Sequence, residues 1–236
     1  MRAALLRAQL ETALGERASS PFTDVDKRVW ECVPSGIPTL DAAIGGLPRG
    51  AIVEIFGAPS SGRTSLALTI LSTLIQQGEV CALVDGTDAF DPESGAAAGI
   101  DMRRLLWVRC RNLDQVLRSA DLLLQGGGFG AVALDLSDLP QQAVRGVPLA
   151  VWFRFQRVLE NTPTVLLLIG RESAAKSAAS VVLRANLREA AWNGMSAVSH
   201  ALLLTQTHLD VEILRIRHSR CRFPKVHHDV RLHSCS

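Results

Sequence analysis

From Ala51 onward, short and mostly apolar runs alternate with segments whose apolar residues recur at helical spacing. Apolar runs without polar alternation are typical of buried parallel strands, and the spaced segments are long enough to form helices. The runs predict strands at Ala51–Phe56, Val80–Val84, Leu105–Val108, Ala131–Leu134 and Thr164–Ile169. The spaced segments predict helices at Arg63–Gln77, Leu113–Gln125 and Leu149–Glu160. This order predicts an α/β fold, a mostly parallel sheet with helices on both faces.

An additional helix is predicted near the N-terminus. Leu6, Leu10 and Leu14 form one apolar stripe within residues 3–14. A helix of this length is marginal alone, so the stripe needs a surface to cover it. That surface lies either on a neighbouring protomer or on the helix's own domain, and the sequence leaves both alternatives open.

The pattern changes again towards the C-terminus. Beyond Ala185 the alternation of apolar strands and helical segments becomes less regular. Two segments there, Ser199–Thr205 and Asp210–Arg217, predict strands at an edge of the sheet. Arg215–Ser236 contains six basic residues and one acidic residue. Such a segment favours an anionic partner such as nucleic acid, or it serves only to keep the chain soluble. We therefore divide the chain into an N-terminal helix and linker (1–33), a core domain (34–217) and a basic C-terminal tail (218–236).

Composition narrows the class of protein. The chain has 236 residues, a net charge of +2 and 47% hydrophobic residues, which suits one globular domain and excludes global disorder. Its five cysteines are scattered, unlike those of a secreted disulfide framework. No apolar stretch approaches the length of roughly 20 residues that a membrane helix requires. We expect a cytoplasmic protein without a membrane partner.

Gly57-Ala-Pro-Ser-Ser-Gly-Arg-Thr64 lies between a predicted strand and a predicted helix and fits the pattern of a phosphate-binding loop. In such a loop, consecutive backbone N–H groups and a helix N-terminus form a concave positive site for phosphate. Thr64 would supply a hydroxyl to Mg²⁺, and Asp135, at the end of an apolar strand, would supply the metal's carboxylate. The predicted nucleotide-contacting residues of the loop are Gly57, Ser60, Ser61, Gly62, Arg63, Thr64 and Ser65.

Arg63 occupies the position at which such loops carry lysine. A compact ammonium group fits against the β- and γ-phosphate oxygens, whereas a planar guanidinium is larger and forked. The positive charge is kept, but the geometry that stabilises phosphoryl transfer is not. We therefore expect ATP and Mg²⁺ to bind weakly or not at all.

Several motifs in order resemble the RecA recombinase ATPase core. The resemblance covers Pro34–Leu139 and, more loosely, Thr164–Pro224. It is carried by Ile37-Pro-Thr-Leu-Asp41, Gly45-Gly-Leu-Pro-Arg-Gly50, Val53-Glu-Ile-Phe-Gly57, Ser60-Ser-Gly-Arg-Thr64 and Val84-Asp-Gly-Thr-Asp-Ala-Phe-Asp-Pro92. It implies a RecA-like P-loop domain with ATP and Mg²⁺ as cofactors. It also implies DNA-contacting loops near Ser137–Pro148 and Glu172–Ser180.

The resemblance also assigns roles to single residues. Thr87 stands where recombinases carry the glutamate that activates the attacking water, and Arg171 stands where a glutamine senses the γ-phosphate. Asp91 matches the position beside the adenine, although Ser94 replaces the aromatic residue that stacks on the base. Arg215 and Arg217 match the basic pair that reaches a neighbouring protomer's phosphates. Because a hydroxyl without a carboxylate is no general base, we assign no catalytic residue and expect impaired ATP hydrolysis.

Within this superfamily the chain looks most like the ImuA-type proteins, which act beside polymerases in SOS-induced translesion mutagenesis. This implies a DNA-repair accessory protein whose partners are translesion polymerase-type proteins, with RecA or a second copy docking through the N-terminal helix, and single-stranded DNA as a further ligand. One alternative is an active recombinase-type ATPase that binds single-stranded DNA. Another is a SulA-like cell-division inhibitor, although the retained phosphate loop argues against it. Trp152 lies on a predicted helix and belongs either to the core or to a partner surface.

Overall fold

The computed structural model describes residues 31–160, 162–193, 203–217 and 227–233, without the side chains of 190–193, 203–207 and 227–233. These residues belong to one compact unit, Glu31–Ser236. The predicted N-terminal helix within residues 3–14 lies outside the described residues. None of the described helices is long and apolar enough to cross a membrane.

In the part of the chain that the structure describes, the main sheet has eight strands, and six of them run parallel. A separate pair of short strands, β1 and β2, is antiparallel. The strands are β1 Cys32–Val33, β2 Leu47–Pro48, β3 Ala51–Phe56, β4 Cys81–Asp85, β5 Leu105–Arg109, β6 Ala131–Asp135, β7 Val165–Gly170, β8 Val181–Asn193, β9 Leu203–Ile216 and β10 His227–His233. Their order across the main sheet is β10-β9-β8-β3-β7-β6-β4-β5, with β9 antiparallel to both of its neighbours.

Helices connect the parallel strands and pack on both faces of the sheet, as the sequence predicts. They are α1 Pro38–Ile44, α2 Arg63–Gln76, α3 Pro92–Ala97, α4 Leu113–Gly126, α5 Gln141–Gly146 and α6 Leu149–Leu159. Local sequence explains where two of them begin: the Asn112 side chain accepts the Gln115 N–H at the start of α4, and Asp91 accepts the Glu93 and Ser94 N–H groups at the start of α3.

The side chains of β3 alternate between two hydrophobic clusters, one on each face of the sheet. Val53 and Ile55 face a cluster that includes α1 and α2, whereas Ile52 faces a cluster that includes α4 and α6. Trp152 and Phe155 of α6 are fully buried in the second cluster. Trp152 therefore belongs to the core and not to a partner surface.

The predicted elements agree with the structure to within one or two residues in the parallel part of the sheet, and the edge differs more. The sequence pattern predicts no strand at β8, yet this strand pairs with β3 in parallel and with β9 in antiparallel fashion. Polar and apolar residues alternate over Leu183–Arg188 in the middle of β8, which hides the strand from a search for continuous apolar runs. Residues 227–233, within the predicted basic tail, form strand β10. Residues 199–202 of a predicted strand lie outside the described residues.

Candidate functional site

The phosphate loop joins the carboxyl end of β3 to the first turn of α2, the place that the sequence predicts. Ser60 and Gly62 have positive φ angles of 63° and 82°. A Cβ atom on Gly57 would lie 2.4 Å from the Ala185 carbonyl oxygen, and one on Gly62 would lie 2.3 Å from a methyl group of Leu209. Glycine is therefore required at both positions, because β8 and β9 press directly on the loop.

Arg63, the first residue of α2, turns its side chain back onto the loop. Its Nη1 donates to the carbonyl oxygens of Gly57 at 2.7 Å and Ala58 at 2.5 Å, and its Nε donates to Ser137 Oγ at 3.0 Å. The residue is only 6% exposed, and burial lowers the pKa of its guanidinium. Among the described residues no carboxylate lies within ion-pair distance of it. Arg63 is thus a buried cation held by neutral oxygens, with both hydrogens of Nη2 left over.

Asp135 and Thr64 are the two predicted Mg²⁺ ligands, and the structure brings them to the same cavity. Asp135 ends β6 and accepts the Ser137 N–H at 2.9 Å. Burial raises the pKa of Asp135, although the bonds from Ser137 and the charge of Arg63 oppose this shift. The described residues contain no group of three or more His, Cys, Asp or Glu side chains able to hold a metal ion. A magnesium ion here would complete its coordination with water molecules or phosphate oxygens.

The cavity has a volume of about 250 Å³ and lies between α2, the carboxyl ends of the central strands and the segment after β4. Its polar lining consists of Arg63, Thr64, Asp135, Ser137 and Asp138, and aliphatic core residues form most of the remainder. Nearby, the Ser61 hydroxyl is buried and has no hydrogen-bond partner. An unpartnered hydroxyl in a glycine-bounded loop, beside a buried cation, fits a phosphate group.

Residues 2–145, more than half of the chain, match the model of the RecA N-terminal domain. The chain belongs to the RecA N-terminal domain family. It is 36% identical over 130 residues to Protein RecA of Bifidobacterium longum and 38% identical over 130 residues to that of Acidothermus cellulolyticus. These alignments cover 54% of this chain but only 33% and 38% of the relatives, so the chain matches little more than a third of their length.

A solved structure supports the same fold. A KaiC-like protein of Pyrococcus horikoshii superposes with a TM-score of 0.58 at 20% sequence identity, covering 84% of this chain and 94% of that one. The expected RecA-like P-loop fold is therefore confirmed.

The RecA resemblance places a glutamate where this family member has Thr87, and the structure shows what surrounds that position. Asp85, at the end of β4, is buried and accepts the N–H groups of Thr87, Ala89 and Phe90 at 2.9 to 3.2 Å. Asp88, the carboxylate next to Thr87, forms an ion pair with Arg109. The hydrogen bond from Arg109 lowers the pKa of Asp88. Neither Thr87 nor Asp88 lines the cavity, whose carboxylates are Asp135 and Asp138.

Arg171, which the sequence resemblance predicts as the counterpart of the γ-phosphate sensor, lies just beyond β7. Its Nε donates to the Ser137 carbonyl oxygen at 2.8 Å, and its Nη2 pairs with Asp138 Oδ1 at 2.8 Å. Arg63 and Arg171 therefore both bind Ser137. From the sequence, Ser137 and Asp138 are expected only as part of the DNA-contacting loop Ser137–Pro148, not at the phosphate site. Their position directly after Asp135, at the carboxyl end of a parallel strand, is the signal that could have found them.

The other predicted site residues lie away from the cavity. Both carboxylate oxygens of Asp91 accept hydrogen bonds from the first turn of α3, and the Ser65 carbonyl accepts the Thr69 hydroxyl. The Arg215 guanidinium binds the Lys176 carbonyl oxygen, and the Arg217 N–H donates to Ser180 at 2.9 Å. Contacts of these residues with adenine or with a neighbour's phosphates remain predictions.

The two segments that the RecA resemblance marks as DNA loops are tied to each other and to the sheet. Arg145 of α5 pairs with Glu172 across the two segments. Glu54 of β3, which is 2% exposed, accepts the Ser173 hydroxyl at 2.6 Å and the N–H groups of Ala174 and Ala175. The second segment is consequently a packed part of the domain.

Proposed function

We propose that this RecA family member is an accessory protein of SOS-induced translesion mutagenesis and DNA repair. It binds ATP with Mg²⁺ weakly and does not hydrolyse ATP efficiently. The main observation behind this proposal is the conformation of Arg63, whose guanidinium donates three hydrogen bonds to oxygen atoms of the protein itself. A residue committed in this way supports binding of phosphate more than it supports the transfer of a phosphoryl group.

Three changes in the site point towards lost turnover. Arg63 replaces the lysine that contacts the β- and γ-phosphates. Thr87 replaces the carboxylate that would activate water, and Asp88 is neutralised by Arg109. Arg171 is paired with Asp138. Since the loss of one transition-state contact commonly costs about 10²-fold or more, the combined loss would bring hydrolysis close to the uncatalysed background.

By contrast, most of the groups that would bind ATP and Mg²⁺ are retained. The loop keeps its glycines, its positive φ angles and the N-terminus of α2, which together favour an anion. Ser61 offers a buried hydroxyl that has no partner in the protein. Thr64 and Asp135 stand at the same cavity and would hold Mg²⁺ together with phosphate oxygens. These features support weak binding of ATP and Mg²⁺ as part of the proposal.

The proposed partners depend on which surfaces already make contacts within the domain and which do not. Because the segments 137–148 and 172–180 are tied down, single-stranded DNA would reach this chain chiefly through the basic residues between Arg215 and Ser236. Translesion polymerase-type proteins are the proposed protein partners. Docking of RecA or of a second copy through the N-terminal helix remains part of the proposal, as does a cytoplasmic location.

Two measurements test this function. ATP turnover with and without single-stranded DNA separates the accessory role from the alternative, an active recombinase-type ATPase. Co-purification with a translesion polymerase-type protein tests the partner, and the full chain should be compared with a chain that lacks residues 1–18. A recombinase-like rate of hydrolysis would refute the accessory role. A full chain that binds no translesion polymerase-type protein would refute the proposed partnership.

A further inference from the structure

Two segments lie at the carboxyl ends of neighbouring parallel strands. The β6 segment, residues 137–148, follows β6, and the β7 segment, residues 171–180, follows β7. Together the two segments contain three basic and only two acidic residues. The basic residues are Arg145, Arg171 and Lys176, and the acidic residues are Asp138 and Glu172. The formal charge of the two segments is therefore held at +1 by two carboxylates.

Both of these carboxylates are bound to an arginine of the other segment. Asp138 Oδ1 accepts a hydrogen bond from Arg171 Nη2 at 2.8 Å. In the opposite sense, Arg145 Nε donates to Glu172 Oε2 at 2.7 Å, and its Nη2 donates to the second oxygen of the same carboxylate. The four side chains are between 41% and 64% exposed, so solvent and large solutes reach both ion pairs.

Exposed ion pairs of this kind are easily exchanged for other partners. A pair between two exposed side chains changes an equilibrium by only about 1.4- to 5-fold. The β7 segment is held to the sheet independently, because the buried carboxylate of Glu54 accepts hydrogen bonds from Ser173 and Ala175. A stronger anionic ligand can therefore displace Asp138 and Glu172 without unfolding the segment.

The chemistry of the two arginines favours phosphate as that ligand. The guanidinium fork of an arginine fits phosphate as well as it fits carboxylate, and in Arg145 two donors of the fork are occupied by Glu172. A carboxylate from a partner protein would replace one ion pair by a similar one and gain little. The backbone of single-stranded DNA presents many phosphates, and the counterions that it releases on binding add a favourable contribution that a single carboxylate lacks.

We propose that Asp138 and Glu172 are internal competitors for nucleic-acid phosphate and mask an anion-binding surface on the β6 and β7 segments. Single-stranded DNA binds there by exchange, and each released carboxylate turns to solvent. One phosphate takes the place of Glu172 at Arg145, and another takes the place of Asp138 at Arg171. The inference rests on single-stranded DNA as a ligand in the proposed function, and it adds a contact that keeps this binding weak.

The test is fluorescence anisotropy of a labelled oligo(dT) strand of about 30 nucleotides, titrated with the full chain at several salt concentrations from about 50 to 200 mM. Glu172→Gln and Asp138→Asn should each raise the affinity by about 1.4- to 5-fold, and the double variant by about 2- to 25-fold, since each change releases one arginine. The plot of log affinity against log salt concentration should become steeper by about 0.7 for each released arginine.

The chain offers a matched control at the amino end of the edge strand β5. Asp101→Asn removes the same charge and releases Arg103 from an exposed, forked ion pair, so it should change the affinity by less than about 1.4-fold. A second control adds Arg145→Gln to Glu172→Gln. This double change restores the net charge and removes the released arginine, and the affinity should return to that of the wild type.

An affinity of Glu172→Gln/Asp138→Asn equal to that of the wild type, with circular dichroism showing both chains folded, would overturn the inference. An equal gain in Asp101→Asn, or a gain that survives Arg145→Gln, would overturn it as well, because the effect would then be one of net charge alone. Absence of DNA binding by wild type and variants alike would also overturn it. All of these results leave the partnership with a translesion polymerase-type protein and the lack of ATP turnover standing. Efficient ATP turnover, in contrast, would refute the proposed function, while the ratio of the affinities would still test the masking.

Discussion

Replacing Glu54 tests whether the segment after β7 is held to the sheet by one buried carboxylate. Glu54 lies in the middle of β3 and is 2% exposed. It accepts the Ser173 hydroxyl at 2.6 Å, the Ala175 N–H at 3.0 Å and the Ala174 N–H. Glu54→Ala removes every one of these acceptors at once and leaves their donors in a closely packed region.

The expected loss follows from those contacts. A buried donor left without a partner costs about 1–3 kcal/mol, and water can reach part of this segment because Ser173 and Ala174 are only half-buried. We therefore expect Glu54→Ala to lower the free energy of unfolding by about 3–5 kcal/mol, a large part of the roughly 5–15 kcal/mol of a typical domain. Glu54→Gln keeps one acceptor oxygen and should cost about 1–3 kcal/mol. Ser173→Ala removes one donor and should cost about 1 kcal/mol.

Urea unfolding followed by circular dichroism gives the three free energies, and hydrogen exchange reports the Ala174 and Ala175 amides. The order of destabilisation should be Glu54→Ala, then Glu54→Gln, then Ser173→Ala, with faster exchange at the two amides in both Glu54 variants. A loss below about 1 kcal/mol for Glu54→Ala, or unchanged exchange at Ala175, would refute the reasoning.

Other predictions concern the loop, the metal-site carboxylate and the core. Gly62→Ala should lower the free energy of unfolding by about 2–5 kcal/mol, because its Cβ atom would collide with the buried Leu209. Gly78 has a φ of +92° but open space around it, so Gly78→Ala should lower this free energy by only about 1–2 kcal/mol. Equal losses in urea unfolding would contradict this. Burial raises the pKa of Asp135, so the folded protein loses stability as the pH rises through that pKa and the carboxyl group becomes charged. Without nucleotide, Asp135→Asn should therefore be more stable than wild type at about pH 7 and equal to it near about pH 4. A variant less stable than wild type at neutral pH would refute this. Trp152→Ala should lose about 3–5 kcal/mol and Phe153→Ala, 37% exposed, about 0.5 kcal/mol; similar losses would place Phe153 in the core.

The sequence predicts the central sheet well because burial on both faces leaves a direct mark on it. Strands such as Ala131–Asp135 are nearly continuous apolar runs, and the long helices α4 and α6 each bury one apolar face. Strand β8 has no long apolar run, since its residues alternate between polar and apolar from Arg184 to Arg188, and it lies near the edge of the sheet. Cys32–Val33 pairs with Leu47–Pro48, and two-residue strands of this kind are too short to leave a pattern.

The candidate site divides in the same way. The phosphate loop, Thr64 and Asp135 could be located from sequence, because spacing and chain order determine them. The role of Ser137 could not, because it depends on the direction in which the Arg63 side chain turns. The commitment of Asp88 to Arg109 is likewise a contact between residues distant in sequence, which no local pattern encodes.

We propose that the scaffold keeps its phosphate site, whereas Arg63 and Thr87 replace two of the groups that would cleave ATP. The most direct measurement is the rate of ATP hydrolysis at saturating single-stranded DNA, for the wild type beside Arg63→Lys/Thr87→Glu, with a RecA protein as reference. We expect a wild-type rate indistinguishable from that of buffer and a measurable rate for the double variant. A wild-type rate close to that of the RecA reference, unchanged by the two substitutions, would contradict it.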